Sequence, residues 1–147
     1  MHTVNYMDTL VAVAPDSPAE KVMVPRTGPG RVSIAEIQFD LLTRGPYRHT
    51  QEEVLWRTHV RHKALTGAAA NRAARLSFLA KPHPCLRSSP LPKRYGWGLY
   101  FDSQGKVALV ARASKQYASL AQRASPGFRA LPRSTHTASV AIDSRVM

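Results

Sequence analysis

The chain has 147 residues, 44% of them hydrophobic and 20% charged, with a net charge of +12. That length suits one domain with a real core. No apolar run approaches the ~20 residues of a membrane span, and a single cysteine excludes an internal disulfide framework. The charge is uneven: residues 1–53 hold five Lys/Arg against seven Asp/Glu, and residues 54–147 hold sixteen against two. A basic half of this kind attracts polyanions, nucleic acid included, although the same charge also serves solubility alone.

In chain order, Met7–Ala14 reads as a largely buried strand ended by Pro15. Leu10–Ala14 follows Asp8 rather than a cation, which is not the pattern of a secretory signal, so a cytoplasmic location is expected. Val22-Met-Val24 reads as a short second strand stopped by Pro25, followed by a Gly/Pro turn region, 26–31. Ser33 with Glu36 forms a capping box ahead of Ile34, Ile37 and Leu41, and Gly45-Pro46 ends that helix. Thr50 with Glu53 repeats the box and opens a second helix that should end near Gly67. Ala68–Ala80 reads as a third, stopped by Pro82 and Pro84.

The alternate prolines from Pro82 to Pro92 predict an extended loop. Trp97, Leu99 and Phe101 then alternate up to the Asp102–Gly105 turn, and Val107–Val110 returns, forming a β-hairpin. Ser114 caps a last helix carrying Tyr117, Leu120 and Ala121. The order predicts an α+β fold, a small antiparallel sheet that includes the C-terminal β-hairpin, with three to four helices on one face. The proline loop is expected to cover a sheet edge. One domain, 1–124, is followed by a basic tail, 125–147.

Four segments carry a resemblance: His2-Thr-Val-Asn-Tyr-Met-Asp-Thr9, Ile37-Gln-Phe-Asp-Leu-Leu42, Pro46-Tyr-Arg-His-Thr-Gln-Glu-Glu-Val-Leu55 and Pro84-Cys-Leu-Arg-Ser-Ser-Pro-Leu-Pro-Lys-Arg-Tyr-Gly-Trp-Gly98. Through them the chain resembles a bacterial family of uncharacterised proteins, a domain of unknown function, over roughly residues 2–62 and 78–121. The resemblance implies no activity, ligand or partner. It departs from the family pattern at Pro82-His83, where a Gly-Gln-like pair is usual, and at Lys115-Gln116, where acidic residues are usual.

Arg87, Lys93, Arg94, Tyr95 and Trp97 form the best binding constellation, cations for phosphate or carboxylate beside aromatic faces for a base or ring. Gly96 and Gly98 flank Trp97 and leave room for close approach of a ligand or another backbone. Against this, Trp97 is equally the core end of the hairpin. Cys85, with His83 two residues away, is a weak nucleophile candidate; a small buried hydrophobe is the commoner role. His59 and His62 are three apart on a helix and His49 could supply a third ligand after folding, but neither flanking carboxylate spacing nor a cysteine partner supports a metal site, and no cofactor motif appears. Asn5, Tyr6 and Asp8 could complete a site, or Asp8 could pair with Arg87 or Arg94. The reading is a module that binds an anionic ligand through the Arg87–Trp97 loop. The alternatives are an enzyme using Cys85 or the Arg/Tyr cluster on a small anionic substrate, and an interaction protein with no small ligand.

Overall fold

The computed structural model describes residues 5–13, 22–26, 32–122 and 129–131. Among these residues five α-helices and a four-stranded sheet make the fold α+β: β1 (Thr9–Val11), α1 (Ile34–Arg44), α2 (Gln51–His62), α3 (Arg72–Leu79), α4 (Pro90–Arg94), β2 (Trp97–Phe101), β3 (Val107–Ala111), α5 (Lys115–Gln122) and β4 (Arg129–Leu131). The sheet order is β3-β2-β1-β4. The first three are antiparallel, with Leu99 opposite both Leu109 and Val11, and β4 runs parallel to β1. β4 falls within the segment expected as a tail; the rest of 125–147 lies outside the described residues.

Both faces of the sheet are covered, not one. On one face Val11, Leu99, Phe101 and Val107 meet Leu42 of α1, Val54 of α2, and Leu86 and Leu91. On the other, Leu10 and Val110 meet Leu120 of α5, with Tyr100 and Tyr117 packed around them. This explains why Thr9, Leu10 and Val11 are all buried: successive side chains point to opposite faces, and each face has a cover.

Both helices are capped by the expected side chains. Ser33 Oγ accepts from Glu36 N at 3.1 Å and Thr50 Oγ1 from Glu53 N at 3.4 Å. Three further expectations fail. Val22–Val24 is not a strand; it lies along the start of the hairpin, where Met23 N donates to the Tyr95 carbonyl at 2.8 Å. α2 stops at His62 rather than Gly67, and α3 starts at Arg72, where the Asn71 side chain caps it by accepting from Ala74 N at 2.9 Å. Residues 67–70 form only a short 3₁₀ turn.

The proline-rich stretch is the third correction. It is not extended throughout: Leu86–Ser88 makes a 3₁₀ turn and Pro90–Arg94 a short helix capped by Ser89. Pro90 and Pro92 sit in the first turn, where backbone N–H groups have no helical partner, so the missing donors cost nothing. This stretch covers the sheet face, not an edge. The free edge of β3 is covered by the α1–α2 connection, where Tyr47 N donates to the Val107 carbonyl at 3.0 Å and Val107 N to the His49 carbonyl at 2.9 Å.

Candidate functional site

The capping of α2 fixes which of its residues share a face. Leu55, Thr58, His59 and His62, at helical spacing, line a cleft of about 590 Å³. Ile34 and Gln38 of α1 form the opposite wall, Phe78 of α3 closes one side, and the segment His83–Pro90 forms another. Two buried glutamines hold that last segment in place. Gln51 Oε1 accepts from Leu86 N at 2.8 Å, and Gln38 Oε1 accepts from the Ser89 hydroxyl at 2.6 Å.

Stacked rings form the Phe78 wall. The Phe78 ring lies 3.8 Å from His83 at an interplanar angle of 17°, and 4.5 Å from His59 at 30°. Trp56 packs behind, 5.4 Å from Phe78. His83 Nε2 lies 2.6 Å from the Phe78 carbonyl, so the stack is tethered as well as packed. Burial, then the charge of Lys63 and the neighbouring His83 and His62 rings, holds His59 below its usual range, so at neutral pH this wall presents an uncharged imidazole.

The charge of the cleft comes from its mouth. Lys63 lines it and is exposed. A contiguous hollow of about 380 Å³ shares Ile34, His62 and Pro90 with it and ends at Arg94 and Tyr95. Among the described residues no Asp or Glu lines either hollow. The nearby carboxylates are committed elsewhere: Asp40 pairs with Arg44 at 2.6 Å and Arg61 at 2.9 Å, and Glu53 with Arg57 at 2.7 Å and Arg75 at 3.1 Å. Burial alone would raise both carboxyl pKa values, and the arginines outweigh it and lower them.

The constellation expected from the sequence is distributed over different environments. Arg87 is buried, 9% exposed, with its guanidinium against the Tyr6 hydroxyl. Lys93 and Arg94 are exposed on α4, and only Arg94 reaches the cleft mouth. Tyr95 and Trp97 are half-buried against the core; Trp97 donates from Nε1 to the Met23 carbonyl at 2.9 Å and its ring lies 5.5 Å from Phe39. Gly98 leaves no room for a ligand, because Tyr117 of α5 occupies the space a Cβ would fill. Cys85 is partly exposed and lines the cleft, with the Tyr6 hydroxyl 3.5 Å from Sγ. Burial first, then this contact, raises the Tyr6 pKa, against the opposing pull of Arg87.

The N-terminal residues have mainly structural partners. Asn5 Oδ1 accepts from Glu52 N at 3.0 Å, adding a second cap to α2. Asp8 N donates to the Asp102 carbonyl at 2.9 Å, and among the described residues the ion pairs found do not include Asp8. His49 lies in a separate polar hollow with Arg48, Arg57 and Lys106, away from His59 and His62. Among the described residues no three His, Cys, Asp or Glu side chains come together to hold a metal ion, and no helix is long and apolar enough to cross a membrane.

Sequence reasoning found His59, His62, His83 and Cys85 but did not join them into one cleft. It passed over Thr58 and Phe78 as site residues. The spacing of Leu55, Thr58, His59 and His62 was the available signal; Phe78 reaches the cleft only through the packing of α3 on α2.

The chain belongs to the family of unknown function DUF6157, whose family model matches residues 1–129. No curated protein and no solved structure matches it.

Proposed function

We propose that this member of a family without an assigned function is a binding protein for a small anionic ligand with an apolar, ring-bearing body. The ligand lies in the cleft between α1, α2, α3 and the His83–Pro90 segment. The observation that carries the reading is the composition of that cleft: apolar and aromatic walls and, among the described residues, cations at the mouth and no carboxylate lining it. An apolar pocket with a few convergent polar groups is the usual form of a small-molecule site. Lys63 and Arg94 would hold the anionic group where it remains partly hydrated, and the apolar wall that includes Phe78 and Leu55 would pack against the ring.

Nucleic acid fits this geometry less well than a small anion. A stacking platform for bases needs open aromatic faces, and Tyr95 and Trp97 spend theirs on the core. A second reading, thiol chemistry at Cys85, is favoured by one observation: the thiol lines the same cleft, beside the Tyr6 hydroxyl.

The test is titration with 8-anilinonaphthalene-1-sulfonate, an aromatic anion whose fluorescence rises on entering an apolar site. Saturable binding that weakens with salt and falls several-fold in Lys63→Ala/Arg94→Ala supports the cleft. Binding indifferent to that double variant, or none, refutes it and favours an interaction protein. Protection of Cys85 from iodoacetamide by the bound anion would place the thiol within reach of the ligand.

A further inference from the structure

We propose that Thr58 sets the specificity of this cleft, and that the ligand class is an aryl carboxylate carrying a hydroxyl group across the ring from the carboxylate. The inference rests on the cleft reading above and adds to it the identity of the ligand's polar groups.

Thr58 is 6% exposed, and its Oγ1 has no hydrogen-bond partner among the described residues. That is unusual for a buried hydroxyl. It is more unusual within a helix, where threonine normally bonds the carbonyl one turn back. The same chain provides the contrast: Thr43, exposed on α1, donates to the Phe39 carbonyl at 2.7 Å. Thr9 and Ser114 likewise reach carbonyls at 2.7 Å. A hydroxyl that forgoes this bond, on a residue that lines a cleft, is left available to a ligand. Its Oγ1 is closed to solvent in this conformation, so ligand binding would require a χ1 rotation that brings the hydroxyl to the cleft.

The rest of the α2 face gives the ligand its length. Thr58 and His62 are one turn apart, about 6 Å along the helix axis, which is close to the span of a benzene ring with substituents at opposite ends. Leu55 lies beyond Thr58, away from the mouth, and Lys63 lies at the mouth beside His62. The sequence of chemistry along the helix is therefore apolar floor, hydroxyl, imidazole, ammonium. A ligand that matches it presents a polar atom to Thr58 and an anion to Lys63. The intervening body is apolar, because the wall beside it is built from the His59, Phe78 and His83 rings, whose centroids lie 4.5 and 3.8 Å apart. A threonine hydroxyl can both donate and accept, so a phenol satisfies it in either sense.

The experiment is calorimetric titration of the full chain with benzoate, 4-hydroxybenzoate and cyclohexanecarboxylate, for wild type, Thr58→Val, Thr58→Ser and Lys63→Ala. Wild type should bind 4-hydroxybenzoate about tenfold more tightly than benzoate, the size of one well-made hydrogen bond, and cyclohexanecarboxylate more weakly than either. Thr58→Val should collapse the phenol-to-benzoate ratio towards one, and Thr58→Ser should keep it. The urea midpoint of Thr58→Val should stay at or above that of wild type, since a methyl replaces an unpaired hydroxyl. Equal affinity for phenol and benzoate, or a ratio that survives Thr58→Val, overturns the Thr58 assignment. If the naphthalenesulfonate still binds with Lys63 dependence, the cleft reading survives that failure. No carboxylate binding together with no Lys63-dependent sulfonate binding overturns both.

Discussion

Replacing Ser89 with alanine tests how the cleft wall is built. The Ser89 side chain does two things in a buried position: it donates to Gln38 Oε1 at 2.6 Å and accepts from Leu91 N at 3.2 Å, capping α4. Ser89 is 5% exposed and Gln38 4%, so water does not readily replace either bond. Loss of the cap costs about 1 kcal/mol. Leaving the Gln38 oxygen buried without a donor costs about 1–3 kcal/mol. The two share one hydroxyl, so the expected total is about 2–3 kcal/mol rather than the full sum. The assay is urea unfolding with the slope checked for constancy, since a changed slope would signal an altered unfolded or native state. The decisive control is Gln38→Met in the Ser89→Ala background, where the orphan acceptor is removed along with its donor. The double variant should recover about 1 kcal/mol relative to additivity. A Ser89→Ala cost under about 0.5 kcal/mol, or strict additivity, would refute the claim that this pair ties α4 to α1.

Gly98→Ala should destabilise by about 1–3 kcal/mol, the usual cost of overpacking. Its Cβ would lie 2.8 Å from Tyr117 Cε2 and 3.3 Å from the Val11 carbonyl oxygen, while the Tyr117 hydroxyl is held by Val13 N at 2.9 Å. Unchanged unfolding would mean the α5 ring yields freely. Asn5→Ala should cost about 1 kcal/mol through loss of the second α2 cap, and a neutral result in the same assay would discount that bond. The pH dependence has two windows. Burial, ahead of nearby positive charge, holds His49 and His59 below 6.5, so the unfolded chain takes up protons first and stability falls as pH drops through that value. Asp40 and Glu53 are held below 3.8 and 4.5, so their contribution is present above those values and lost at lower pH. His59→Gln should flatten part of the upper step in urea midpoints measured from pH 8 to 5; a step unchanged in that variant would assign it elsewhere.

What was legible in the sequence is what local chemistry decides. The capping boxes at Ser33 and Thr50 act within three residues, and both helix starts fall where they indicate. The hairpin follows from alternation around Asp102–Gly105, whose Asp102 carboxylate accepts from Gln104 N and Lys106 N, each at 2.9 Å. Reading failed where two local signals competed. Pro82–Pro92 looked extended because proline disfavours helix, but Ser89 followed by Pro90 is also a helix start, and only the docking of Leu86 and Leu91 on the sheet selects it. Val22–Val24 has the composition of a strand but lacks a ladder to join; its neighbours are the Tyr95 carbonyl and the Trp97 indole.

The binding constellation fared differently from the helices because it depended on which way side chains face, and a five-residue helix turns that question by 100° per residue. Leu91 goes to the core while Lys93 and Arg94 face out, and Arg87, one turn earlier, is carried inwards to Tyr6. Arg87 thus stands buried beside Tyr6, apart from the exposed Lys93 and Arg94. The cations proposed to attract an anion, Lys63 and Arg94, come from segments 31 residues apart and line two hollows that share Ile34, His62 and Pro90. The motif-rich stretch Pro84–Gly98 thus supplies mainly the architecture of the cleft. The groups proposed to choose the ligand, Thr58 and Lys63, stand on α2 and just beyond its end, where the composition of the sequence drew no attention to them.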